Sequence, residues 1–256
     1  VIDTHCHLTY EPLAGQIEAV LGRAAAAGVD GMISVGTSPE DAEQAVGLAG
    51  RYAGVYATAG VHPHHAAEWA DKRAVQEKLR RLMSQPKVVA IGEMGLDRHY
   101  EQPSQEDQRR VFGWQLEVAA ELPQPVVIHN REATGDVLAM IRDSGIVGSR
   151  FVFHCFTGSV QELEAVLAIG AMVGFTGIVT FKNARALAAA SVRVPVDRLM
   201  VETDSPYLTP EPYRKVQPNE PCYVPWVARF LAGQRGMDEA ELVRRVDANA
   251  RVFFRI

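Results

Sequence analysis

Pro125-Val126-Val127-Ile128-His129 sets a short, continuously apolar run directly against a histidine. A run this short, rich in β-branched residues and opened by a proline, reads as a strand buried on both faces. Working outward, the same design recurs. Phe151-Val152-Phe153 is followed by His154, and Val88-Val89-Ala90-Ile91-Gly92 by Glu93. Leu199-Met200-Val201 leads into Glu202, Thr203 and Asp204, and the chain opens through Asp3-Thr4-His5-Cys6-His7. With Gly31–Gly36, Gly54–Val61 and Ala171–Phe175, the apolar runs number eight.

Helical patterns separate them. Pro12–Ala27 is alanine-rich with apolar residues at helical spacing and stops at Gly28. Ser38-Pro39-Glu40 opens a second, with Ser38 placed to cap and Pro39 in the first turn. Gln105–Ala120, Ala133–Asp143, Val160–Ala168 and Ala184–Ala190 follow, and Glu220–Gly233 and Asp238–Asn249 close the chain, Asp238 as a cap. Strands alternating with helices make a parallel sheet, and eight such units predict an α/β fold, a (β/α)8 TIM barrel, as a single domain over residues 1–256. No linker, charge block or low-complexity segment divides it.

Bulk composition narrows the function. The chain has 256 residues, 26 basic and 31 acidic, for a net charge of −5, which argues against a protein that coats duplex nucleic acid with a broad basic face. No apolar run approaches the roughly 20 residues needed to span a membrane. The first residues lack a signal peptide's basic start and apolar stretch, and the first residue is not Met, so an initiator is expected to have been removed or left out of the numbering. Cys6, Cys155 and Cys222 are odd in number and widely spaced, which indicates neither a disulfide framework nor a zinc knuckle and fits a cytoplasmic protein.

In a (β/α)8 barrel the chemistry sits at the C-terminal strand ends. Residues i and i+2 of a strand share a face, so His5 and His7 point inward together while Cys6 points away. A lone His-x-His is equally compatible with two ordinary polar residues. Histidines or carboxylates at the ends of strands one, four, five, six and eight are a different matter, because all would face one mouth. His5, His7, Glu93, His129, His154 and Asp204 exceed what one catalytic ion uses, typically three protein ligands and a water. Two divalent ions are expected, roughly 3.5–4 Å apart with Glu93 between them and a hydroxide bridging them. His5, His7 and Asp204 would complete one ion, and His129 and His154 the other. Such a site carries about +2 before hydroxide binds, which favours an anionic phosphate ester over an amide. Histidine with carboxylate suits zinc, manganese or iron better than magnesium.

These residues fall in blocks that resemble the TatD-type metal-dependent deoxyribonucleases. The blocks are His5-Cys6-His7, Gly60-Val61-His62-Pro63-His64, Ile91–Asp97, Ile128–Ala133, His154–Gly158, Phe175-Thr176-Gly177 and Glu202–Pro206. The resemblance spans essentially the whole chain in order. It implies a hydrolase of the amidohydrolase-like superfamily acting on ester bonds, a 3′–5′ exonuclease on single-stranded DNA ends, with the six residues above as metal ligands. It makes Asp204 the group that accepts the proton of the attacking water, Glu202 a structural neighbour, and His62, His64 and Arg131 candidates for substrate phosphate. Lys182 is a weaker candidate, and His65 and His99 read as ordinary loop histidines. Magnesium, often used to assay the family, joins manganese and zinc as an expected metal.

One segment departs from the family pattern. Arg214-Lys215-Val216-Gln217-Pro218 precedes Asn219-Glu220-Pro221, with Val216–Pro218 where a basic residue is more usual, which bears on strand or length preference. The alternative function is a superfamily hydrolase of a small amide, lactone or phosphoester, because the same hydroxide can attack carbon or phosphorus. A scaffold that has lost activity would show a broken ligand set. DNA is the expected partner, with no membrane and no obligate protein partner.

Overall fold

The computed structural model describes residues 1–100 and 102–256. Eight strands, β1 (Ile2–Cys6), β2 (Gly31–Ser34), β3 (Val55–Ala59), β4 (Val88–Asp97), β5 (Val126–Arg131), β6 (Phe151–Phe153), β7 (Met172–Phe175) and β8 (Leu199–Val201), pair in chain order. Every pairing is parallel. Just past the strand ends β8 meets β1: His7 N donates to Ser205 O at 2.8 Å and Asp204 N to His5 O at 2.8 Å. The sheet thus forms a nearly closed (β/α)8 barrel, as the alternating runs predict.

Around it lie α1 (Ile17–Ala26), α2 (Pro39–Arg51), α3 (Lys72–Met83), α4 (Gln105–Glu121), α5 (Thr134–Ser144), α6 (Val160–Ala168), α7 (Arg185–Ser191), α8 (Val224–Arg235) and α9 (Glu239–Phe254). Ser38 accepts from Asp41 N to start α2, with Pro39 in the first turn. Ser159 and Glu162 satisfy each other's backbone N–H groups in a capping box at α6, and Asp238 caps α9. None of these helices is long and apolar enough to cross a membrane.

Three departures from the sequence reading matter. Helix α3 was not anticipated, because Lys72-Arg73-Ala74-Val75-Gln76-Glu77-Lys78 is dense in charge; Val75, Leu79 and Leu82 nevertheless form one buried stripe behind an Asp71 cap. Strands β4 and β5 run on through Asp97 and Arg131, so Glu93 and His129 lie inside strands rather than after them. At the other end, α8 begins at Val224 because Pro221–Tyr223 make a 3₁₀ turn, and α9 continues to Phe254.

Ile33, Val89, Val127, Val152, Met172 and Met200 come from six strands and form one buried cluster, which is possible only inside the barrel. Ala250 and Phe254 of α9 pack into the same cluster, so burial explains the helix's extra length. A larger apolar layer fills the space between strands and helices, and Cys6 belongs to it. Side chains two residues past Val127, Val152 and Met200 share their inward face, which aims His129, His154 and Glu202 into the mouth. Gly95 makes this possible for β4: its φ is +149°, and a Cβ there would lie 1.9 Å from His129 O. Only glycine lets the two strands run this close.

Candidate functional site

At the mouth all six residues read as ligands converge. Glu93 is their hub. Its Oε1 lies 2.7 Å from His154 Nε2 and 2.8 Å from His129 Nδ1, and its Oε2 lies 3.4 Å from His5 Nε2. Asp204 Oδ1 is 3.2 Å from His7 Nε2 and 3.8 Å from His5 Nε2. Three groups have ligand atoms within 4.8 Å of one another: His5–His7–Glu93, His62–Glu93–His129 and His5–His154–Glu202. None of these groups joins His129 to His154, the pairing expected from sequence: His129 stands with His62 and Glu93, His154 with His5 and Glu202, and Asp204 belongs to none of the three. His62 Nε2 is 3.1 Å from His129 Nδ1 and 3.5 Å from Glu93 Oε1, which places a residue expected to touch phosphate at the hub itself.

The remaining candidates lie further out. His64 Nε2 is held at 3.0 Å by Asp97 Oδ2. Arg131 is exposed on the cleft wall, its guanidinium 5.5 Å from the centre of the Tyr100 ring. Lys182 is exposed and does not line the cleft. His65 pairs with Glu68 at 2.8 Å and His99 with Glu132 at 3.1 Å, as loop residues do.

A second layer positions the first. Asp97 Oδ2 is 3.0 Å from His129 Nε2, so His129 is held from behind while its Nδ1 faces Glu93. Asp97 was not singled out from sequence, although it stands four residues after Glu93 on the same strand and so on the same face. Glu202 accepts from Cys155 N at 2.5 Å and from Thr4 Oγ1 at 3.1 Å, and its Oε1 lies 3.7 Å from His154 Nδ1. Asp3 ties β1 to β8 through Thr203, with Thr203 N donating at 2.9 Å. Tyr10 stacks on His7 at 4.7 Å between ring centres and shares a 2.7 Å hydrogen bond with Thr37.

Charge at this site is a contest between burial and pairing. Burial would raise the Glu93 carboxyl, but His154, His62, His5 and His129 outweigh it and hold it well below the usual carboxylate range. Asp204 is also lowered: burial opposes its charge most strongly of any single influence, but the hydrogen bond to His7 and the charges of His7, His5 and His154 together outweigh it. Burial disfavours a charged His154, yet Glu93 and Glu202 push it well above an ordinary imidazole. For His62 burial prevails and lowers it well below.

Both ring nitrogens of His5, and Nδ1 of His7 and of His154, are buried without a hydrogen-bond partner among the described residues. Each such orphan costs about 1–3 kcal/mol. Imidazole nitrogens that give up their protons on binding, set beside ionised carboxylates, are the donor set that divalent transition ions take up, so these residues fit metal.

Asp97→Asn tests the second layer. It removes the charge behind His129 and is expected to cost about 10–100-fold in metal affinity or activity. Titrating metal into the variant should recover much of the loss; an unchanged metal requirement would remove Asp97 from this role.

The cleft above the cluster encloses about 1070 Å³, room for a nucleotide-sized group, and reaches from His7 and Asp204 to Asn130 and Ser159.

Comparison with known proteins gives the family. The family model described as TatD related DNase matches residues 2–255. A 3′-5′ ssDNA/RNA exonuclease TatD from Erwinia billingiae is 41% identical over 261 residues, covering 100% of this chain and 99% of the relative. YabD of Bacillus subtilis, named an uncharacterized metal-dependent hydrolase, is 36% identical over 256 residues, with coverage of 100% and 99%. Among solved structures, the TatD homologue YJJV of Escherichia coli k12 superposes with a TM-score of 0.93 at 30% identity, covering 100% of this chain and 98% of that one.

Proposed function

The chain belongs to the TatD related DNase family, and on that footing we propose that it is a metal-dependent exonuclease, hydrolysing phosphodiester bonds from the 3′ end of single-stranded DNA or RNA. The observation that carries this reading is Glu93, one buried carboxylate within 3.5 Å of His5, His62, His129 and His154.

In this proposal His5, His7, Glu93, His129, His154 and Asp204 would hold two divalent ions, with His62 standing beside Glu93. Bound there, magnesium, manganese or zinc would supply Lewis-acid stabilisation of phosphoryl oxygens and lower the pKa of water toward neutrality. The chain's own residues do the rest. Asp204 presents Oδ1 to His7 and His5, which leaves Oδ2 to accept the proton of the attacking water. Asp97 fixes the ring of His129 from behind, so that its metal-facing nitrogen does not wander, while Glu202 sets a negative charge 3.7 Å from His154 Nδ1. His64 and Arg131 line the cleft and would orient the scissile phosphate. With a net charge of −5 the protein engages few phosphates, so rates should depend only shallowly on salt.

The test is a 5′-labelled single-stranded DNA oligonucleotide offered to chelator-stripped protein, which then receives Mg²⁺, Mn²⁺ or Zn²⁺. Stepwise shortening from the 3′ end that returns only with metal is the expected result. Metal-loaded protein that shortens no strand would point instead to a small-molecule substrate.

A further inference from the structure

We propose that Tyr207 is the stacking wall of a nucleobase subsite, gripping the terminal nucleotide of the substrate regardless of base identity. The inference rests on the nuclease reading above and adds to it the group that would recognise the base.

Tyr207 is 53% exposed and lines the same cleft as Asp204 and His7. The other two tyrosines of the cleft are occupied. Tyr10 stacks on His7 and bonds Thr37. Tyr100 meets His64 edge-on at 5.0 Å and carries Arg131 against its ring. Among the described residues no aromatic ring or cation stacks on Tyr207. Its face is left to the cleft.

The backbone beneath that ring is fixed. Tyr207 N donates to Asp204 O at 3.0 Å, and Tyr207 O accepts from Asn219 Nδ2 at 2.5 Å. The next residue, Leu208, is held at φ +63°, a left-handed conformation that a branched side chain rarely adopts. Its carbonyl packs against Gly177 so closely that a Cβ there would lie 2.0 Å away. Backbone held in a sparsely populated region persists only where its surroundings over-determine it. An exposed aromatic on such a segment, three residues from Asp204, is preorganised for a flat partner.

The lining of the cleft is also mixed. Glu93, the histidines and Asp97 supply polar groups, while Tyr207, Leu208 and Ile178 supply apolar surface, and Leu208 packs on Gly177, the neighbour of Ile178. A terminal nucleotide has the same mixture, with its phosphate suited to the polar groups and its base to the apolar ones. Stacking on an aromatic face accepts all four bases, because each has a π-face. An enzyme that removes successive nucleotides needs that tolerance, and an acidic protein cannot obtain its hold from many phosphate contacts.

The experiment uses metal-loaded protein and two oligodeoxynucleotides, one with an ordinary 3′-terminal nucleotide and one abasic there. Binding is read on versions whose last linkages are phosphorothioates, and turnover on unmodified ones. Tyr207→Ala should raise Kd and KM for the base-bearing end by about 10–100-fold, with kcat changed far less, and should weaken the abasic end by no more than about threefold. Tyr207→Phe should bind like the parent. Equal losses on both ends, or no loss on either, would overturn the inference even if the parent shortens DNA. A parent protein that neither binds nor shortens either strand removes the nuclease reading itself, a result distinct from the first two.

Discussion

Glu93→Gln should lower the rate of single-strand shortening by on the order of 10³-fold or more, with the fold intact. The substitution keeps the shape of the side chain and removes its charge. Four imidazoles face this carboxylate, at 2.7 Å for His154, 2.8 Å for His129, 3.4 Å for His5 and 3.5 Å for His62. Glutamine can turn one oxygen to this ring of nitrogens, and its other arm is a donor that points N–H toward groups needing an acceptor. The residue is 2% exposed, so no water replaces what is lost. Metal content, measured on the purified variant, should fall with activity. Thermal unfolding of the metal-free variant should stay cooperative, because apolar layers that the change does not touch hold the barrel, but at a lower temperature than the parent, because the paired histidines lose their buried counter-charge. A variant that keeps both its metal and its rate would show that Glu93 only braces the histidines.

How much of this was legible in the sequence depended on where each residue sits relative to a regular strand. His129 and His154 follow apolar runs whose alternation continues through them, so a period of two carries the eye from Val127 and Val152 straight to the site. Asp97 is on the same kind of strand but was missed. Its segment, Glu93-Met94-Gly95-Leu96-Asp97, contains a glycine that reads as a strand ending, whereas here glycine permits the close approach to His129 O. His62 was recognised as a cleft residue but not as a neighbour of Glu93. Strand β3 ends at Ala59, and His62 is placed by irregular backbone, with its N–H on Thr37 O, which no periodicity encodes. The altered loop Val216–Pro218 also has a local account: Thr209 Oγ1 donates to Val216 O at 2.8 Å, and the adjacent Asn219 ties back to Thr203 O. That loop therefore keeps its anchor to β8 without a basic residue there.

Asp204→Asn should lower kcat by about 10²–10⁴-fold, the range a positioned general base contributes, while changing KM little. The backbone argues that the loss would be chemical rather than conformational. Asp204 has a φ of +55°, in the left-handed region, where asparagine is tolerated as well as aspartate and alanine is not. The N–H that donates to His5 O and the carbonyl that accepts from Tyr207 N are both retained in the variant. The carboxylate, unlike Glu93, touches only the His5–His7 side of the cluster. Metal content should therefore fall less than in Glu93→Gln, and binding of a phosphorothioate-ended strand should persist. Asp204→Ala should additionally destabilise the protein, since it puts an ordinary L-residue where φ is positive. The two variants thus separate proton transfer from scaffold. If Asp204→Asn loses metal and strand binding as completely as Glu93→Gln does, Asp204 is a ligand first, and the proton must go elsewhere in the cleft.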